Sequence, residues 1–118
     1  MRIDERTVRG VTILDVSGPI TANCGQTHLR DKVRSLVVQG QTKILIDLGA
    51  VSRVDSTGLG ELIASLTTVS KGHGSLKLMR VTKPLNDLLT ITRLINVFDT
   101  FETETAALAS FADVTTNR

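Results

Sequence analysis

Apolar residues along this chain fall in short blocks whose spacing changes from one block to the next. Ile3 to Val8 and Val11 to Ser17 are two stretches of β-branched and apolar residues on either side of Arg9-Gly10, a pattern that predicts an N-terminal β-hairpin. Gly18-Pro19 is expected to break the second strand. From about Ala22 to Gln39, Leu29, Val33, Leu36 and Val37 recur at i, i+4, i+7 and i+8, which is one face of a helix, and Gly40 is placed to end it. Lys43 to Leu48 is nearly continuous in apolar residues and too short for a helix, as befits a central strand covered on both sides. A short loop is expected next.

From Ser56 the period returns to that of a helix: Leu59, Leu62, Ile63, Leu66 and Val69 share one face, and Lys71-Gly72 closes the run. Leu76 to Val81 reads as a further strand. Pro84 suits a first helical turn, with Leu85, Leu88, Leu89 and Thr92 on one face behind it. Val97 to Phe101 predicts a short last strand, Ala106 to Phe111 a last helix, and Asp113 to Arg118 a polar tail. The order is a hairpin followed by alternating helices and strands, so the fold class expected is α/β: a small mixed β-sheet of four to five strands packed with about four helices. No repeat or linker divides residues 1–118, and one domain is expected.

Composition narrows the function classes. Fourteen basic and twelve acidic residues nearly balance, which gives no pull toward nucleic acid or an anionic membrane. The three aromatic residues, Phe98, Phe101 and Phe111, offer no stacking platform for single strands, so no direct nucleic-acid partner is expected. No apolar run approaches the roughly 20 residues of a membrane span. The start MRIDERTVRG is charged and lacks the apolar core of a secretory signal, and Cys24 has no second cysteine with which to pair. A cytoplasmic location is the expectation.

The stretch VDSTGLGEL, Val54 to Leu62, is where the chemistry concentrates. It joins the central strand to the second helix, at the carboxyl end of a parallel strand, where α/β folds carry their sites. Two glycines in a first helical turn weaken the helix by about 1 kcal/mol each relative to alanine, so a second reason for them is required. An aspartic protease motif would be Asp-Thr-Gly, but here Ser56 separates Asp55 from Thr57-Gly58. A serine hydrolase elbow would need glycine where Val54 stands, and His28 and His73 lie in no supporting motif. Gly58-Leu-Gly60 lacks the third glycine of a dinucleotide site, there is no P-loop, and two histidines with one cysteine make no metal constellation, so no cofactor is expected. Helix capping by Asp55, Ser56 or Thr57 is the plain structural explanation. It leaves the paired glycines unexplained. A phosphoacceptor surface uses them all: Ser56 exposed at a helix start, with Gly58 and Gly60 keeping the surface bare for another protein.

The run IDLGAVSRVDSTGLGEL, Ile46 to Leu62, together with the order of elements, resembles the STAS domain, and within it the bacterial anti-sigma factor antagonists. That resemblance implies a STAS-like fold and a binding module rather than an enzyme. The unphosphorylated chain would bind an anti-sigma factor that is also a serine-protein kinase and so release a sigma factor. Phosphorylation at Ser56, with Thr57 as rival acceptor, would abolish binding, and a PP2C-type phosphatase would restore it. Asp55, Ser56, Thr57, Gly58, Gly60 and Glu61 are the partner-binding residues expected, with Ser65 a further candidate, and the chain is expected to be a monomer or weak dimer. The alternative is a STAS module of another assembly: one that binds a small ligand or nucleotide at the same helix start, or a stress-sensing scaffold subunit.

Overall fold

The computed structural model describes residues 2–21 and 29–116. Five strands and four helices are seen among them: β1 (Arg2–Val8), β2 (Val11–Ile20), α1 (Leu29–Val38), β3 (Lys43–Val54), α2 (Ser56–Lys71), β4 (Ser75–Met79), α3 (Lys83–Ile91), β5 (Asp99–Phe101) and α4 (Glu104–Thr116). The strands form one sheet in chain order, β1-β2-β3-β4-β5. β1 runs antiparallel to β2 through the Arg9-Gly10 turn, where both residues have positive φ, and the other three pairings are parallel.

Parallel neighbours require a crossover, and crossovers are right-handed almost without exception. When the strand order never reverses, that rule sends every crossover helix to the same side. α1, α2 and α3 therefore pack on one face, where Leu29, Val33, Leu36, Leu59, Leu62, Val69, Leu85 and Leu89 meet Leu14, Val16, Ile44, Ile46, Leu48 and Leu78. α4 covers the opposite face, with Ala107, Leu108 and Phe111 against Val11, Ile13, Leu45 and Met79. Covered on both sides, β2 and β3 carry apolar residues at consecutive positions rather than alternate ones.

Several boundaries differ from the sequence expectations. Gly18-Pro19 does not end β2. The strand continues to Ile20, its register against β3 shifting between Gly18 and Pro19, and Gly18 adopts φ +82°. β3 runs six residues past Leu48, because Ala50 to Val54 still run alongside Ser17 to Ile20. The expected loop before α2 shrinks to Asp55 alone. β4 stops at Met79, since Arg80 turns the chain with φ +55°, and β5 begins only at Asp99. Thr92 is exposed past the end of α3, its hydroxyl donating to the Leu88 carbonyl at 2.7 Å. α4 starts at Glu104, where the Ala106 N–H donates to the Thr103 hydroxyl, and it takes in residues 113–116 of the expected tail. The part of the first helix expected over 22–28 lies outside the described residues, as do Cys24 and His28.

Polar groups hold α4 to the sheet. The buried Lys77 amino group donates to Ser110 Oγ at 2.9 Å and lies 4.9 Å from the Phe111 ring centroid and 5.7 Å from that of Phe101, so two ring faces stabilise its charge. Arg6 on β1 donates to Asp15 at 2.7 Å and to Glu104 at 2.5 Å, which joins the hairpin to the first turn of α4. The hydrogen bond from Arg6 holds the Glu104 carboxyl below its ordinary value of 4.5, and the same contacts raise Arg6. A depressed carboxyl stabilises the fold above its ordinary range and loses that contribution as pH falls through its lowered value. Thermal unfolding of Glu104→Gln beside the unaltered protein is therefore expected to show a deficit of about 0.5–1 kcal/mol at pH 7. That deficit should vanish as the pH is taken below the carboxylate range.

Candidate functional site

The junction between β3 and α2 is built around one carbonyl. Ile20 closes β2 opposite Val54, and its carbonyl accepts from the Asp55 N–H at 3.3 Å. Asp55 leaves the strand in an extended conformation (φ −103°, ψ −173°) and caps α2: its carboxylate accepts from the Gly58 N–H at 2.9 Å, and its own carbonyl takes the Leu59 N–H at 2.9 Å. Asp55 is thus the N-cap, and Ser56, Thr57 and Gly58 are the first three helical residues. Ser56 and Thr57 are exposed. Both stand on the first turn, where uncompensated N–H groups and the helix dipole favour negative charge.

The two glycines have different reasons to be there. A Cβ built on Gly58 would lie 1.8 Å from the Ile20 carbonyl oxygen, so the helix sits against β2 only because position 58 has no side chain. Gly58 is buried and clears room inward, not on the surface as the sequence reading had it. Gly60 is exposed, with nothing within 4 Å of its would-be Cβ, and it leaves the surface bare as expected.

Glu61 is half-buried and turned toward α1. Its carboxylate accepts from the Arg30 backbone N–H and pairs with the Arg30 guanidinium, each at 3.4 Å. Ser65 is fully buried and donates to the Glu61 carbonyl at 2.8 Å, which removes it from any surface. His73 occupies an exposed turn with φ +61°, in keeping with a solvated position. Among the described residues no cluster of three or more His, Cys, Asp or Glu could hold a metal ion.

Sequence reasoning missed a second feature at this end of the sheet. Asp47, buried on β3, accepts from the Gly49 N–H at 2.9 Å and pairs with Arg80 beyond the end of β4. A carboxylate inside the apolar run Ile44 to Leu48 was the available signal, since a buried charge is held only where it is paired. A cavity of about 700 Å³ opens beside this pair, lined by Gly49, Arg80, Lys83, Asn86, Phe101 and Glu102 among others. It lies at the first turn of α3. None of Asp55 to Glu61 lines it.

With this geometry in view, comparison with known proteins places the chain. The STAS domain family model matches residues 2–107, and the chain belongs to that family. Over 71 residues it is 41% identical to the anti-sigma-B factor antagonist of Bacillus subtilis strain 168, a match spanning 60% of this chain and 64% of that relative. An anti-sigma factor antagonist from Mycobacterium paratuberculosis has the same fold, with a TM-score of 0.80 over 92% of each chain at 24% identity. The Bacillus cell fate determinant SpoIIAA in its phosphorylated form is also similar in fold, with a TM-score of 0.71 over 93% of this chain and 99% of that one at 16% identity. No helix among the described residues is long and apolar enough to cross a membrane.

The glycine pair gives a sharp contrast in stability. Gly58→Ala forces a methyl group into the Ile20 carbonyl and is expected to cost about 1–3 kcal/mol or more. Gly60→Ala fills open space on a helix and is expected to gain up to about 1 kcal/mol. Urea unfolding of the two variants, with the slope checked for constancy, measures both.

Proposed function

We propose that this chain is an anti-sigma factor antagonist working in a cytoplasmic partner switch. The unphosphorylated form binds an anti-sigma factor that is also a serine-protein kinase, and a sigma factor is released. The kinase then modifies Ser56 and ends the association, and a PP2C-type phosphatase resets it. The observation that carries this reading is Ser56 standing exposed one residue after the N-cap of α2, at the carboxyl end of the central strand. The 41% identity to an anti-sigma-B factor antagonist supports it.

In this scheme the chain is substrate and ligand, not catalyst. Ser56 Oγ attacks the γ-phosphorus of ATP held by the kinase. The new Oγ–P bond replaces the bond to ADP, and the hydroxyl proton passes to a base of the kinase. The product carries about −1.5 to −2 of added charge. At a helix N-terminus that charge is tolerated, by roughly 0.3–1 kcal/mol, so the fold stands. The association suffers instead: two negative charges meeting a partner carboxylate about 5 Å away cost roughly 1.7 kcal/mol even in water, which exceeds one decade in affinity. Asp55 holds the acceptor turn in place, Thr57 is the rival hydroxyl, and Gly60 lets the partner come close. Gly58 and Glu61 contribute through the placement of α2 against β2 and α1.

A second reading, a module for a small ligand or nucleotide, draws on the cavity beside Arg80 and Lys83. Titration of the isolated protein with ATP and GTP separates the two, because the switch needs no nucleotide affinity in this chain.

Incubation with ATP and the candidate anti-sigma kinase, followed by intact mass and peptide mapping, is expected to give one phosphate, on Ser56, with none formed by ATP alone. Ser56→Ala should bind the kinase and stay unmodified. Ser56→Asp should keep the unfolding midpoint of the parent and bind at least severalfold more weakly, in proportion to the part of a phosphate's charge that it carries. Parent-like binding by Ser56→Asp would count against a charge mechanism.

A further inference from the structure

Between Val51 and Val54, both of which turn toward the core, Ser52 and Arg53 are exposed at the end of β3. Most cations near this end of the sheet are committed: Arg80 to Asp47, Lys83 to Asp87 and Arg30 to Glu61. Among the described residues Arg53 makes no ion pair. The acidic groups nearest to Ser56 in the chain have occupations of their own. Asp55 accepts from the Gly58 N–H, and Glu61 from Arg30. Arg53 is therefore the one cation of the segment from 53 to 61, exposed beside the acceptor turn with the exposed carboxylate of Asp55 held by the start of α2.

Its position relative to the acceptor is fixed by chain geometry. Three residues span at most about 11 Å, close to the distance over which charges act through physiological salt. A docked protein covers about 800 Å² of its partner, a disc of roughly 16 Å radius. A kinase centred on Ser56 has Arg53 inside that footprint.

We infer that Arg53 determines recognition by the enzyme that phosphorylates Ser56, engaging an acidic side chain beside that enzyme's catalytic cleft; this rests on the phosphoacceptor reading above. The same arrangement sharpens the switch. Before modification, the surface presents a guanidinium to an acidic partner. After it, the phosphate on Ser56 offers Arg53 a charge-assisted partner within its own chain. The modified protein then loses its cationic handle at the step in which it gains an anionic one. The partner's acidic group meets repulsion where it previously met attraction.

Steady-state phosphorylation by the candidate anti-sigma kinase, with the unaltered chain, Arg53→Gln and Arg53→Lys as substrates across a range of salt concentrations, tests this. Arg53→Gln is expected to raise KM for the protein substrate roughly fivefold with kcat unchanged and to flatten the salt dependence, while Arg53→Lys restores most of both. All three should unfold at the same temperature, since the side chain is exposed. A KM and salt slope for Arg53→Gln equal to those of the unaltered chain would overturn the inference and leave the phosphoacceptor reading intact. Absence of phosphate on Ser56 in the unaltered chain would overturn that reading first and the inference with it.

Discussion

The contact on which the rest of this molecule depends is the one between the Ile20 carbonyl and the start of α2. The oxygen takes the Asp55 N–H and leaves no space for a side chain at position 58. Because the helix comes in that close, Asp55 can cap it over a single residue's separation from the strand. Ser56 and Thr57 are then fixed on a turn that begins where the sheet ends. A serine on a long loop would reach solvent just as well. It would lack a defined direction, and a phosphate placed there would not meet the N–H groups that make it tolerable.

Much of the fold was legible in residue spacing, because crossover helices and buried parallel strands have different periods. α2 from Ser56 to Lys71 and the hairpin about Arg9-Gly10 are of this kind. What spacing could not give is anything set by pairing across the sheet. The outer half of β3 contains Gly49, Ala50, Ser52 and Arg53, none of which marks a strand alone. It is a strand because the end of β2 lies alongside it, bulged past Gly18-Pro19. The same limit applies at the site. That two glycines were needed was plain from the sequence, but one faces the Ile20 carbonyl and the other faces solvent, and only the neighbouring strand distinguishes them.

The acidic residues of the candidate motif proved to be structural parts as much as surface. Asp55 satisfies an N–H at the start of α2, and Glu61 does the same for α1 one turn further on. Glu61 is turned inward onto Arg30, so the carboxylate of Asp55, the hydroxyls of Ser56 and Thr57 and the guanidinium of Arg53 are what an approaching protein meets. A site made to be read by another protein can thus be held together by the same carboxylates that flank it.

Strand order identical to chain order has a consequence for how the molecule forms. Each strand finds its sheet partner in the next strand along, so no pairing has to close more than one crossover. Contacts of far longer range join the hairpin to α4: Arg6 bonds Glu104 across 98 positions, and Val11 and Ile13 pack against Ala107 and Phe111. The hairpin and α4 thus meet through residues far apart in sequence, and the face covered by α4 is closed to water only where those distant segments come together.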